Sequence, residues 1–164
     1  MKNSSNIIPE VVIYTDGACA GNPGPGGYGA VMRYNGHRKE ISRGFRKTTN
    51  NRMELMAVIA SLQLLKNPCK VKLFTDSQYI ADSVNRGWAK RWQENNWKRS
   101  KKEKAMNPDL WEKLLELLNT HQVDMQWLKG HDGDPENERA DRLATEAIKS
   151  KTLEIDRVYE NSQS

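Results

Sequence analysis

Residues 10–16, EVVIYTD, run apolar and β-branched and end on an acid, Asp16. The run predicts a buried strand. Residues 17–27, GACAGNPGPGG, are punctuated by glycine and proline and predict a loop. Residues 27–35 and 38–47 predict two more strands, with the hairpin dipeptide Asn35-Gly36 between them. The chain therefore opens with three antiparallel strands. The period changes at 51–66. Asn51, followed three residues later by Glu54, resembles a capping box. The stretch MELMAVIASLQLLK is apolar on nearly every side, which predicts a helix buried on nearly every side. Asn67-Pro68 stops it. Residues 70–76 (KVKLFTD) predict a fourth strand and 77–87 a short helix; further short helical pieces and a loop follow. Residues 108–120 carry Leu110, Leu114, Leu117 and Leu118 at helical spacing. Residues 122–128 predict a fifth strand, and 135–149 a last helix with Pro135 in its first turn. Beyond about residue 150 there is no periodicity, which predicts a flexible, frayed tail over 151–164 behind a single domain over 1–150. The sum is an α/β fold with a five-stranded sheet and helices on both faces.

Composition narrows the class. The 164 residues are 37% hydrophobic and 29% charged, enough for one domain with a core and a very polar surface. No stretch has the roughly 18 apolar residues of a membrane span, and the N-terminus MKNSSNIIPE lacks the apolar region of a secretory signal. Cys19 and Cys69 form no metal-ligand pattern and are expected as free thiols in a reducing cytoplasm. The net charge of +5 is unevenly spread. Arg86, Lys90, Arg91, Lys98, Arg99, Lys101, Lys102 and Lys104 face only Glu94 and Glu103 in the same window, where Trp88, Trp92 and Trp97 also lie. Such a basic, aromatic segment suits a polyanion.

The acids raise the chemical question. Asp16 and Asp76 each end a predicted strand. If those strands pair in parallel, both carboxylates leave the sheet side by side, where ligand sites of open α/β sheets lie. Glu54 sits in the first turn of a buried helix with no Lys or Arg one turn away on its face, so a cation should meet it. Asp141 lies at the border of the stripe formed by Ala140, Leu143, Ala144, Ala147 and Ile148. Four such carboxylates suit hard divalent cations. Taken singly, each has a blander reading: a turn former at a strand end, a helix N-terminal acid favoured by the dipole, a solvated helix face. Spacing alone leaves both readings open. No P-loop, dinucleotide fingerprint or nucleophile elbow is present. His131, between Gly130 and Gly133, reads either as a surface histidine or as a proton or product carrier on a loop. His37 and His121 read as structural or solvated.

The stretches YTDGACAGNPGPGGYGA, TTNNRMELMA, TDSQY, the basic tryptophan segment and KGHDGDPENERAD together resemble the type 1 ribonuclease H family in its bacterial form, over about residues 10–150. The resemblance implies a ribonuclease H-like fold with sheet order 3-2-1-4-5. It implies an endoribonuclease that hydrolyses the RNA strand of RNA–DNA hybrids by a two-metal-ion mechanism, leaving 3′-hydroxyl and 5′-phosphate ends. Asp16, Glu54, Asp76 and Asp141 would hold two Mg2+ ions, with Mn2+ as a substitute and Asp16 bridging. Asp76 would complete one ion's shell, and Glu54 and Asp141 the other's. His131 would be the loop histidine, with Glu138 supporting one turn before Asp141. Asn22, Asn50 and Gln78 would contact the RNA side, and Thr49 and Asn51 the DNA strand, with Cys19 in the same substrate surface. Trp88, Lys90, Arg91 and Lys98 would belong to a protruding handle for the DNA strand, while Trp92 and Trp97 pack the handle's own helices. A monomer is implied, with no membrane partner. Asp132 and Asp134 depart from the neutral residues or histidine of many relatives and place extra negative charge near His131. Two rivals share the resemblance. A hybrid-binding module without catalysis would lack carboxylates that are present here, and a DNA-joining transferase would bring additional domains.

Overall fold

The computed structural model describes residues 8–129 and 133–163. Strands β1 (Glu10–Cys19), β2 (Gly24–Tyr34) and β3 (His37–Thr48) form the antiparallel meander. Then come α1 (Asn50–Gln63), β4 (Lys70–Thr75), α2 (Gln78–Asn85), α3 (Trp88–Glu94), α4 (Pro108–Thr120), β5 (Gln122–Trp127), α5 (Pro135–Ile148) and α6 (Arg157–Ser162). The sheet order is β3-β2-β1-β4-β5, with β1, β4 and β5 parallel. Asn35 and Gly36 both have positive φ, 49° and 81°, as a two-residue hairpin turn between right-twisted strands requires.

Alternation along β1 divides the core. Val11 and Ile13 join Leu55, Val58 and Leu62 of α1 and Trp111 and Leu114 of α4 on one face. Tyr14 points to the other face, against Val31 and the α5 residues Ala140 and Leu143. Each fully buried Leu, Ile or Val contributes about 1.5–3 kcal/mol relative to exposure. This fixes α1 and α5, which carry Glu54 and Asp141, on opposite faces of the strand that carries Asp16.

The structure departs from the sequence expectations at four places. Residues 17–27 are mostly strand: the ladder continues through Gly17–Tyr28, Ala18–Gly27 and Cys19–Gly26, and only 20–23 connect. These glycines serve packing. A side chain on Gly27 would strike the Ala144 carbonyl and the Ala147 methyl, so α5 lies directly on the sheet there. The cap of α1 is Thr49, whose hydroxyl accepts from the Arg52 amide at 3.3 Å, so Asn51 lies inside the helix. In the basic segment a single helix, α3, is followed by turns and an isolated bridge between Lys98 and Lys104.

The fourth departure is the tail. Glu154 exchanges backbone hydrogen bonds with Gly44 and Arg46 on the edge of β3, and Asp156 is 3% exposed. One Asp156 carboxylate oxygen accepts from the Thr48 hydroxyl at 2.7 Å and from Arg52 Nε at 2.6 Å. Arg52 also donates to both oxygens of Asp109 at the start of α4. A hydrophobic period could not reveal this docking, because a charged network carries it.

Candidate active site

The parallel register of β1 and β4 pairs Thr15 with Thr75, so Asp16 and Asp76 follow at the same level on neighbouring strands. Both threonines are fully buried and their hydroxyls are used locally. Thr15 donates to the Phe74 carbonyl, and the Thr75 hydroxyl accepts from the Ser77 amide. Thr15 thereby ties β1 to β4 just before Asp16, and Thr75 pins the turn that follows β4. Glu54 arrives from α1. It can do so because a side chain on Gly17 would overlap the Glu54 backbone nitrogen, with the Met53 carbonyl carbon 2.6 Å away. The Gly17 amide donates to Asp16 Oδ1 at 2.8 Å, which orients that carboxylate.

Asp16, Glu54 and Asp76 offer carboxylate oxygens that all lie within 4.8 Å of one another. Asp16 is 3% and Glu54 4% exposed. Asp141 is outside that tight group, but its charge acts on both Asp16 and Asp76. No ion pair among the described residues reaches any of the four acids. Burial, then the charge of Asp76, pushes the Asp16 carboxyl up to about 8. Burial and the charges of Asp16 and Asp76 push Glu54 well above its ordinary range. Asp76 is raised mainly by burial, against hydrogen bonds with Asp16 and Glu54 that lower it. Glu54 Oε2 is buried without a hydrogen-bond partner. An orphaned carboxylate oxygen beside two further acids is what a hard divalent cation satisfies, so the donor set fits such ions.

A test follows from the direction of these shifts. In metal-free protein the folded state holds protons that the unfolded chain has released, so stability is present at low pH and is lost as pH rises from about 4 to about 8. Divalent cation should reverse the trend, and the rise in melting temperature on adding Mg2+ should be larger at pH 8 than at pH 5. Thermal unfolding with EDTA or Mg2+ across that range checks it, and an Mg2+ effect independent of pH would count against the cluster as the ion site.

The other sequence-singled residues fall in three groups. Near the carboxylates, Asn22 Oδ1 accepts from the Asn50 amide at 3.0 Å, joining the β1–β2 connection to α1. The Cys19 thiol donates to the carbonyls of Gly24 and Thr48. Asn51 and Gln78 are exposed at the starts of α1 and α2. In the handle, Lys90, Arg91 and Lys98 are exposed, and Arg86 lies over the Trp88 ring at 5.8 Å. Trp92 packs with Tyr79 and Trp111, and Trp97 packs against the core. On α5, Glu138 is exposed, and Asp134 is the N-cap, accepting from the Glu136 and Asn137 amides. His131 and Asp132 lie outside the described residues. His121 is structural: its Nδ1 accepts from the Cys69 amide.

Two residues at the site were missed by sequence reasoning. Gly17 falls in the stretch whose composition predicts a loop, although it admits Glu54. Trp127, opposite Thr75 on β5, donates from its indole to the Asp76 carbonyl at 3.2 Å. Its only sequence signal was an aromatic at a strand end.

Buried acids converging where β1 runs past the end of β4, with no basic partner among the described residues, define a carboxylate site for divalent metal. The RNase H family model matches residues 9–149. A ribonuclease H from Desulforamulus reducens is 58% identical over 154 residues, 94% of this chain and 97% of that protein. The crystal structure of LC9-RNase H1, described as a type 1 RNase H with the type 2 active-site motif, is 34% identical with a TM-score of 0.78, covering 89% of this chain and 75% of that one. LC11-RNase H1, solved in complex with an RNA/DNA hybrid, is 26% identical with a TM-score of 0.66, covering 85% and 96%. The chain belongs to the ribonuclease H family.

Proposed function

We propose that this chain is a magnesium-dependent endoribonuclease that hydrolyses the RNA strand of RNA–DNA hybrids, leaving 3′-hydroxyl and 5′-phosphate ends. The observation that carries the reading is the group of Asp16, Glu54 and Asp76, with the buried Glu54 Oε2 unpartnered. Asp16, Glu54, Asp76 and Asp141 are the residues that would hold the ions, Mn2+ being the natural substitute for Mg2+ in an all-oxygen site. When bound, two such ions supply an activated water and neutralise charge on the leaving 3′-oxygen.

The chain's own part is position and charge. The Gly17 amide and the strand register hold Asp16 and Asp76 in place, and the buried face of α1 holds Glu54. The Thr49 hydroxyl accepts from Arg52, which leaves its proton for a phosphate oxygen at the N-terminal end of α1. Asn51 is exposed beside it on the expected DNA side. Cys19, Asn22, Asn50 and Gln78 border the expected RNA side, where 2′-hydroxyls mark the strand. Trp88, Lys90, Arg91 and Lys98 suit the sugars and phosphates of the DNA strand. His131 would serve proton or product movement, and Glu138 would support Asp141 from the same helix. Both cysteines are free, which suits a reducing compartment such as the cytoplasm. The reading has the protein acting as a monomer. Among the described residues no helix is long and apolar enough to cross a membrane.

The deciding experiment is cleavage of an end-labelled RNA–DNA hybrid with Mg2+, beside duplex DNA, duplex RNA and an EDTA control. Loss of the hybrid's RNA alone, stopped by EDTA, is expected. Binding without cleavage would favour a hybrid-binding module. The handle has its own check. Each phosphate it neutralises adds about 0.9 to the slope of log affinity against log salt. Replacing Lys90, Lys98 and Lys101 with alanine should flatten that slope by about two to three, and an unchanged slope would move the binding surface elsewhere.

A further inference from the structure

The three acids of the close group are not held alike. Asp16 lies inside β1, with register partners in β2 before and after it and the Gly17 amide on its carboxylate. Glu54 rides on α1, whose backbone lies against Gly17. Asp76 has neither support. It stands one residue past the end of β4, where the rungs to β1 and to β5 both stop at Thr75. It is also the most open of the three.

A carbonyl beyond the last rung has no ladder donor and must find another. For Asp76 the donor is the Trp127 indole, whose Nε1–H reaches the carbonyl oxygen at 3.2 Å. Among the described residues no other group donates to it. The indole is itself well anchored. The Leu128 amide donates to the Thr75 carbonyl at 2.8 Å and fixes the end of β5 on β4. Asn85, the last residue of α2, donates to the Met125 carbonyl at 3.0 Å and ties β5 to that helix. The N-cap of α2 is Ser77, directly after Asp76. These contacts close a ring: from Asp76 along α2 to Asn85, across to Met125, along β5 to Trp127, and back to Asp76. The Trp127 ring is 41% exposed, so it can be altered without opening the core.

The Asp76 side chain turns with its own peptide, so a fixed carbonyl also fixes the direction of the carboxylate. A ligand aimed in advance loses less freedom when the ion arrives. We infer that Trp127 is a positioning residue, which aims the Asp76 carboxylate at the group formed with Asp16 and Glu54 by holding the Asp76 carbonyl. It acts through Asp76 and not on the hybrid. The inference rests on the divalent-metal reading proposed above.

The test uses the full chain and two changes at one position. Trp127→Phe keeps a ring and removes the donor. Benzothienylalanine installed at position 127 keeps the bicyclic outline and puts sulfur in place of the N–H. The first readout is taken without hybrid, at pH 8. It is the Mg2+ concentration needed for a fixed rise in melting temperature, which scales with the dissociation constant. Both changes should raise that concentration about three- to ten-fold, the span of one hydrogen bond. The second readout is cleavage. At low Mg2+ kcat should fall and should recover as Mg2+ is raised, while KM for the hybrid at saturating Mg2+ stays within about two-fold of the wild type. Wild-type Mg2+ dependence in the benzothienyl protein overturns the inference and leaves the enzyme reading standing, even if Trp127→Phe is less stable. A raised KM with unchanged Mg2+ dependence overturns it too, because Trp127 would then be meeting the hybrid. Failure of the wild type both to respond to Mg2+ and to cut the hybrid removes the enzyme reading and the inference together.

Discussion

Asp16→Asn should abolish turnover, by about 10²–10³-fold or more, and at the same time make the metal-free protein more stable at pH 8. Both effects have one cause. Asp16 sits between Glu54 and Asp76 with its carboxyl pushed up to about 8 by burial and the Asp76 charge. At pH 8 the metal-free cluster must carry part of that unfavourable charge, and an amide relieves it. Because the three acids share their protons, the gain is smaller than isolated titrations would suggest, on the order of 2 kcal/mol. In a chain of this size that raises the unfolding midpoint by about 4–8 °C. The same amide weakens the hold on the cations that turnover needs. The check is kcat on a hybrid with Mg2+, together with thermal unfolding in EDTA at pH 8. Wild-type activity in the variant would mean that the carboxylate cluster is not the reaction centre. Lost activity with lowered stability would mean that Asp16 acts as a structural residue.

Arg52→Ala should give the largest loss of stability of any single change outside the apolar core. Its side chain is 4% exposed and joins three elements: α1, which carries it, α4 through Asp109, and the tail through Asp156. Burial works against the charge of Arg52, but the bonds to Asp109 and Asp156 outweigh it and hold the guanidinium firmly ionised. Asp109 is likewise lowered despite burial, by Arg52. Removing the cation leaves two acids facing each other, and breaking a buried pair in this way costs about 3–5 kcal/mol. Asp156→Ala should cost less, because Arg52 keeps both oxygens of Asp109. Urea unfolding of the two variants measures the difference. Equal losses would show that anchoring the tail, and not neutralising the acids, is what Arg52 contributes. Because Arg52 lies two residues before Glu54, the variant should also cut more slowly even where it is folded.

Much of this was legible in residues 10–16 and 70–76. A β-branched run leading into an acid is a strand that carries a carboxylate, and local sterics and burial are enough to say so; that β1 runs on past Asp16 to Cys19 was not legible there. The hairpin at Asn35-Gly36 and the buried helix around Glu54 were readable for the same reason, since backbone preference and hydrophobic period act over a few residues. The glycines of 17–26 misled. Their composition describes a loop, yet the reason for Gly17 is the backbone of α1 lying against it, and that helix is distant in sequence. Thr49 displaced Asn51 as the cap because β3 ends at Thr48 and α1 starts at Asn50, which leaves Thr49 alone at the junction. The tail was unreadable for a related reason: its docking depends on Arg52 and Asp109, with no apolar stripe to announce it.

By itself, then, the sequence determined the five strands, the main helices between them and the four acids as candidates, because each depends on short-range steric and hydrophobic rules. The parallel register that sets Asp16 beside Asp76, the close approach that brings in Glu54 while Asp141 stands just outside, and the docking of the tail on Arg52 were decided only in the tertiary structure. Those features depend on distances between segments far apart in the chain, and no local pattern encodes them.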